Sequence, residues 1–150
     1  MGTGVMTFQE IQFASDEFQQ ECELRQAVLR APLGLNLYDE DLDAERGQWH
    51  FGLLDPSAGL VACVIAVPLA STSAKIRQMA VHPAQQGRGH GRTILQHLEA
   101  HLARRGSVHL NMHARLTAVG FYEKLGYARS GPEFIEVGIP HVRMEKHLSA

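Results

Sequence analysis

Three glycines stand at alternate positions near the middle of the chain, at residues 87, 89 and 91. Glycine lets the backbone approach a ligand closely, because it has no side chain and adopts positive φ at little cost. Apolar residues at helical spacing follow the third glycine, so this segment predicts a loop that opens a helix. The first amides of a helix have no internal acceptor and suit an anion. We therefore expect the loop to bind a pyrophosphate.

The spacing of these glycines excludes two nucleotide-binding fingerprints. A dinucleotide fingerprint counted from Gly87 needs glycine where Arg92 stands, and counted from Gly89 it needs glycine where Ile94 stands. A P-loop built on residues 91–93 needs its first glycine at Gln86. Both fingerprints fail, so residues 86–91 (Gln-Gly-Arg-Gly-His-Gly) form a phosphate loop of another kind.

Alternating and helical apolar patterns predict the elements that position this loop. Ser15 is a good N-cap for a first helix, because Asp16 and Glu17 follow in its first turn. The predicted strands cover residues 7–14, 49–53, 60–67, 73–81, 108–112, 127–137 and 141–148, and the predicted helices cover 15–32, 91–105 and 116–125. This order indicates an α/β fold in which a mixed central sheet is flanked by helices.

Length and composition limit the class of protein. A chain of 150 residues with 45% hydrophobic and 20% charged residues fits one globular domain over residues 1–150. The net charge of −2 gives no general attraction to nucleic acid, and no apolar run is long enough to span a membrane. Cys22 and Cys63 lie far apart without a CxxC pattern, so we expect buried free thiols and a cytoplasmic location.

An acidic segment lies between the first helix and the predicted hairpin. It has no clear apolar period, so we predict a loop with at most a short helix. Runs of acidic residues are commonly solvated, and we interpret this one as an exposed turn. The alternative is a surface of the substrate site that binds a cationic substrate. The five acids are Asp39, Glu40, Asp41, Asp43 and Glu45.

Three segments in the same order resemble the GNAT family of N-acetyltransferases. Residues 86–91 are similar to the family's Gln/Arg-x-x-Gly-x-Gly/Ala loop, which holds the pyrophosphate of acetyl-coenzyme A. Residues 121–127 (Phe-Tyr-Glu-Lys-Leu-Gly-Tyr) are similar to its Phe-Tyr-x-Lys-x-Gly-Phe/Tyr segment. Residues 138–144, which begin Gly-Ile-Pro-His, and residues 29–34 resemble a branch of small single-domain members. The resemblance extends from about residue 7 to residue 148.

This resemblance implies a GNAT acyl-CoA N-acyltransferase fold and acetyl-CoA as co-substrate. It also implies that backbone groups of the strand before the loop pair with the pantetheine arm, and that one amide polarises the thioester carbonyl. Tyr122 corresponds to the general acid of many members and would stabilise the departing thiolate. The cofactor-binding residues are then Met79, Ala80, Val81, Gln86, Gly87, Arg88, Gly89, His90, Gly91, Arg92 and Thr93.

The sequence offers more than one candidate for the general base. Many relatives carry a carboxylate on the strand before the loop, whereas residues 75–78 here are Lys-Ile-Arg-Gln. Glu136 and His141 flank the last turn and are the candidates, with Glu133 as a third choice, because either group could relay a proton from an amine. The other histidines, His113 among them, receive no catalytic role, and no metal site is expected.

Two hypotheses from different classes follow. The first is an N-acetyltransferase that moves an acetyl group from acetyl-CoA to a primary amine by direct attack. The second is a catalytically inactive coenzyme A-binding sensor or assembly module, because the usual carboxylate is missing. The acceptor is expected to be a small-molecule or peptide amine, with no nucleic acid or membrane partner, and exposed strand edges would permit a homodimer.

Overall fold

Within residues 5–149, the fold consists of seven strands and three α-helices, and short helical turns connect them. The computed structural model describes residues 5–149. The strands are β1 (Thr7–Ile11), β2 (Trp49–Asp55), β3 (Gly59–Pro68), β4 (Ser73–Val81), β5 (His109–Arg115), β6 (Ala128–Glu136) and β7 (Ile139–His147). The helices are α1 (Asp16–Arg25), α2 (His90–Arg104) and α3 (Val119–Lys124).

The strands follow the order β1-β2-β3-β4-β5-β7-β6 in a mixed sheet. β1, β2 and β3 pair antiparallel, as do β5, β7 and β6. β4 pairs parallel with β5, and the matched residues are Ser73–Ile76 and His109–Met112. The mixed sheet with helices confirms the predicted α/β class. The bounds of β4 agree with the sequence pattern, whereas β1 ends three residues earlier than predicted.

The chain divides into two compact units, and the first contains residues up to 66 together with 78–98. Ser15 caps α1, because its hydroxyl accepts a hydrogen bond from Phe18 N at 3.2 Å. The apolar side of α1 joins a core that includes Phe18, Cys22 and Leu60. A Cβ atom on Gly52 of β2 would lie 2.6 Å from Leu60 and 2.9 Å from Ile11, so a larger residue here would force these two core side chains to shift.

The first helix ends earlier than its apolar pattern indicates. α1 stops at Arg25, and a π-helical turn (Gln26–Arg30) and a 3-10 turn (Ala31–Leu33) continue the chain. Gly34 then ends the helical stretch at φ 71°, as expected of a C-terminal glycine. Val28 and Leu29 lie against the core, which explains why the spacing continues past the end of α1.

The second unit contains residues 67–77 and those from 99 onward. Leu110, Met112 and Ala114 of β5 are buried, and the residues between them are more exposed, as expected of a strand with one covered face. The predicted helix over 116–125 is a 3-10 turn (Leu116–Ala118) followed by α3, and Gly126 at φ 95° ends it.

Two further predictions about burial are confirmed. Cys22 and Cys63 are free and buried. The apolar face of α2 is fully buried through Ile94, Leu95, Leu98 and Leu102. Within residues 5–149, no helix is both long and apolar enough to cross a membrane.

Candidate active site

The glycine loop lies in the first unit between β4 and α2. A 3-10 turn (Pro83–Gln85) follows the strand, and Gly87 and Gly89 adopt φ of 80° and 82°. Gln86 ties the loop to the strand, because its side-chain nitrogen donates to Val81 O at 3.1 Å. The positive φ values require the two glycines, since other residues adopt this conformation only at a cost.

The start of α2 suits an anion. Thr93 N donates to Gly89 O at 3.0 Å, and the amides that precede Thr93 belong to the first turn, where a helix leaves its donors without internal acceptors. Arg88 and Arg92 are exposed beside these amides in the sequence. The side chain of His90 is buried, so this residue would contribute its backbone amide. The donor set therefore fits a phosphate or pyrophosphate group.

The end of β4 has backbone groups that a ligand could bind, and one residue there has an uncommon backbone conformation. Ala80 is buried, whereas Met79 and Val81 are half-buried. Gln86 already engages the carbonyl of Val81, which leaves fewer free groups than the sequence interpretation assumed. Gln78 has φ 58°, a left-handed conformation that is uncommon outside glycine. Its side-chain oxygen accepts from Arg25 at 3.3 Å and from Arg30 at 3.1 Å.

A buried ionic network, which the sequence pattern did not reveal, supports this segment. Arg25 donates to Glu21 at 2.9 Å and to both carboxylate oxygens of Glu45, at 2.8 and 2.6 Å. His50 Nδ1 lies 2.9 Å from Glu21. Glu21, Glu45 and His50 bring ligand atoms within 4.8 Å of one another, a spacing that a metal ion could use. The guanidinium of Arg25 bonds to both carboxylates, so an arginine supplies the cation here.

The network changes the ionisation of its members. Burial lowers the pKa of Arg25, but the hydrogen bond and charge of Glu45 outweigh this effect and the pKa is raised. Burial likewise opposes a charge on His50, while the hydrogen bond and charge of Glu21 raise its pKa above the ordinary value. Burial raises the pKa of Cys22 to about 11, which keeps that thiol protonated and unreactive at neutral pH.

The interpretation of the acidic segment is wrong for one residue. Glu45 is only 5% exposed and belongs to the ionic network. Glu40 forms an ion pair with Arg30 at 2.6 Å, which lowers the pKa of the carboxyl group, although its own side chain is 43% exposed. Asp39, Asp41 and Asp43 are exposed, as predicted. Two of the five acids, Glu40 and Glu45, therefore bind the segment after α1 to Arg30 and Arg25 through ion pairs.

Tyr122 lies on α3 in the second unit and is half-buried. Its ring makes edge contacts with Phe121 and Tyr127, with ring centres 5.1 and 5.9 Å apart. Burial raises the pKa of Tyr122 to about 12, and the positive charge of Arg115 opposes this only in part. The phenol therefore remains a hydrogen-bond donor throughout the neutral range.

Glu136 and His141 come together in the second unit, with His113 as a third member. His113 Nδ1 lies 2.8 Å from Glu136 Oε1, and His141 Nε2 lies 3.9 Å from Glu136 Oε2. Glu133 points elsewhere and pairs with Arg129 at 3.7 Å. The sequence interpretation gave His113 no role, because its partner is 23 residues away and only the pairing of β5, β7 and β6 brings them together.

The fold is of the α/β class, with a glycine-rich turn between a strand and a helix whose geometry suits a phosphate group. A family model described as "Acetyltransferase (GNAT) domain" matches residues 44–148, which is more than half of the chain. The chain belongs to the GNAT acetyltransferase family. This membership supports acyl transfer as its general chemistry, as the resemblance implied.

The chain is also similar to individual proteins. The uncharacterized protein YyaT of Bacillus subtilis is 38% identical over 77 residues, which cover 51% of this chain and only 52% of that protein. A crystal structure from Lactobacillus plantarum, provisionally named an N-acetyltransferase, is 26% identical with a TM-score of 0.85 and covers 97% of this chain and 99% of that one. An aminoglycoside 6'-N-acetyltransferase complexed with coenzyme A has the same fold, with a TM-score of 0.77, 16% identity and coverage of 96% and 98%.

Proposed function

We propose that this protein is an N-acetyltransferase that moves an acetyl group from acetyl-CoA to a primary amine by direct attack. The observation that carries the proposal is the loop of residues 86–91, with positive φ at Gly87 and Gly89 directly before α2, in a chain of the GNAT family. The acceptor is a small-molecule or peptide amine. A homodimer through the edge strand β6 is compatible with this activity.

The donor site would use backbone groups more than side chains. The amides of residues 87–92 would hold the pyrophosphate of acetyl-CoA, with Arg88 and Arg92 adding positive charge. Backbone groups of Met79 and Ala80 would pair with the pantetheine arm. The aminoglycoside acetyltransferase of the same fold is complexed with coenzyme A, which supports this type of ligand. When bound, acetyl-CoA supplies an activated thioester.

Tyr122 would stabilise the leaving group as a hydrogen-bond donor. An ordinary thiol has a pKa of about 8.5, whereas the pKa of Tyr122 is raised to about 12. Full proton transfer from the phenol to the thiolate is therefore unfavourable, and a hydrogen bond to the sulfur is the better description. The backbone amide that polarises the thioester carbonyl would stabilise the oxyanion.

The acceptor must lose a proton before it attacks. An alkylamine has a pKa of about 10.4 on the lysine scale, so only about 1 molecule in 2500 is neutral at pH 7. Glu136 and His141 are the groups that we assign to this proton removal, because their side chains face each other in the second unit.

A screen for thiol release tests the proposal. Purified protein is mixed with acetyl-CoA and single members of a panel of small amines, amino acids, polyamines and peptides, and free thiol is measured together with the mass of the acceptor. Release of coenzyme A with acetylation of at least one amine is expected. Tight coenzyme A binding without release for any amine would instead support a sensor or assembly module.

A further inference from the structure

One carboxylate in the second unit lies between two imidazoles on neighbouring strands. His113 is on β5, Glu136 on β6 and His141 on β7, and β7 is the central strand of the three. His113 Nδ1 lies 2.8 Å from Glu136 Oε1, and His141 Nε2 lies 3.9 Å from Glu136 Oε2. Each oxygen of the carboxylate therefore faces a different ring.

The hydrogen bonds define where the protons are. Ile139 O can only accept, so His141 Nδ1, at 2.7 Å, must donate to it, and the lone pair of the neutral ring lies on Nε2. A carboxylate also only accepts, so His113 Nδ1 donates to Glu136. The 3.9 Å between His141 Nε2 and Glu136 is too long for a hydrogen bond. His141 Nε2 is therefore able to accept a proton.

Phe134 keeps both rings in place. It lies opposite His141 in the pairing of β6 with β7, and the two rings stack with centres 5.9 Å apart. The ring of His113 meets Phe134 edge-on at 4.9 Å. The side chain of His141 is 5% exposed and that of Glu136 is 45% exposed. The carboxylate can reach a solvated amine, while the imidazole behind it is fixed by packing.

We propose that His113 is a positioning residue, which holds Glu136 where the carboxylate and His141 remove the proton from the acceptor ammonium. This inference rests on the proposed function. In the step, an N–H bond of the ammonium breaks, the nitrogen keeps the electron pair for its attack, and the proton passes to Glu136 and then through one water molecule to His141 Nε2. The imidazolium donates from Nδ1 to Ile139 O, and the total charge of the amine, Glu136 and His141 is the same before and after the transfer.

Two amine acceptors distinguish a role of His113 in proton removal from other roles of this residue. One is the best alkylamine of the panel, and the other is the same amine with a trifluoromethyl group on the carbon next to the nitrogen, which lowers the pKa of the amine so that it is mostly neutral at pH 7. His113→Leu removes the donor to Glu136, and His113→Asn keeps an N–H donor near the position of Nδ1. His109→Leu is the matched control, because His109 is exposed on the same strand and contacts His147 instead. Thermal unfolding checks that each variant is folded.

The expected result is a loss of kcat in His113→Leu of about tenfold with the alkylamine. With the fluorinated amine the change is less than about twofold, and the KM for acetyl-CoA stays constant in both cases. His113→Asn recovers most of the rate, and His109→Leu behaves as wild type.

Three results would overturn the positioning role while wild type stays active. The first is an equal loss of kcat in His113→Leu with both amines, and the second is no loss of kcat with either amine. The third is wild-type activity that EDTA abolishes and Zn²⁺ restores, which would assign the histidines to a metal. Wild type that releases no thiol with any amine would reject the proposed function itself, and the positioning role with it.

Discussion

Arg25 donates from Nε to the side-chain oxygen of Gln78 across 53 residues of sequence, at 3.3 Å. Gln78 has φ 58° and directly precedes the strand end that we assign to the pantetheine arm. The other nitrogens of Arg25 bind Glu21 and Glu45, so the ionic network and the unusual backbone of β4 share one guanidinium. In the first unit, the buried cluster of Arg25, Glu21 and Glu45 therefore fixes the end of β4 through the hydrogen bond from Arg25 to Gln78.

Replacement of Arg25 by methionine should destabilise the protein strongly. The change leaves Glu21 and Glu45 buried without their cation, and removal of one partner from such a cluster costs about 3–5 kcal/mol. Urea unfolding measures the loss. Arg129→Met is the control, because the pair of Arg129 with Glu133 is about half exposed and long at 3.7 Å. A similar small effect for both variants would show that the network does not stabilise the fold.

His50 should make stability depend on pH in a defined direction. Its pKa is raised in the folded protein by Glu21, so the stabilisation is complete below the unfolded pKa of about 6.5 and is lost as the pH rises through the folded value. The difference in unfolding free energy between wild type and His50→Asn should therefore be larger at pH 6 than at pH 9. A difference that is constant or grows with pH would contradict the pairing.

Gly87→Ala should weaken coenzyme A binding through the backbone alone. Open space surrounds Gly87, but its φ is 80°. An alanine in this conformation costs about 1 kcal/mol of conformational free energy, which corresponds to a Kd for coenzyme A that is about fivefold higher. Gly47→Ala is the control, since Gly47 also has open space and no positive φ. Calorimetric titration with coenzyme A compares them. Equal affinity of the two variants would remove Gly87 from the donor site.

Tyr122→Phe should reduce turnover without an effect on donor binding. Loss of the hydrogen bond to the sulfur is expected to lower kcat by about a hundredfold, whereas the Kd for coenzyme A stays within about twofold. Tyr38→Phe, at an exposed tyrosine, is the control. Because the pKa of Tyr122 is about 12, its ionisation should not reduce wild-type activity between pH 8 and pH 10. Unchanged kcat in Tyr122→Phe would exclude this residue from the mechanism.

Local patterns predicted the elements well, and contacts between distant residues explain what they missed. The cap at Ser15, the strand β4 and the buried face of α2 depend on neighbouring residues, so the sequence pattern is sufficient. Glu45 was interpreted as solvated because its partner, Arg25, is 20 residues earlier.

His113 was missed for the same reason. On β5, polar residues alternate with buried apolar residues, and nothing in that alternation distinguishes His113 from the other polar residues. The order of β5, β7 and β6 decides that His113 meets Glu136, and the register of β7 decides that His141 lies opposite Phe134. Pairing of this kind depends on the whole sheet.

The most direct measurement follows a labelled acetyl group. Acetyl-CoA with isotope in the acetyl carbons is incubated with the protein and an amine from the thiol-release screen, and the products are separated and analysed by mass spectrometry. We predict that the label moves to the amine as an amide, at a rate that equals thiol release. Label that remains on coenzyme A, or that is found only in free acetate, would contradict acetyl transfer to an amine.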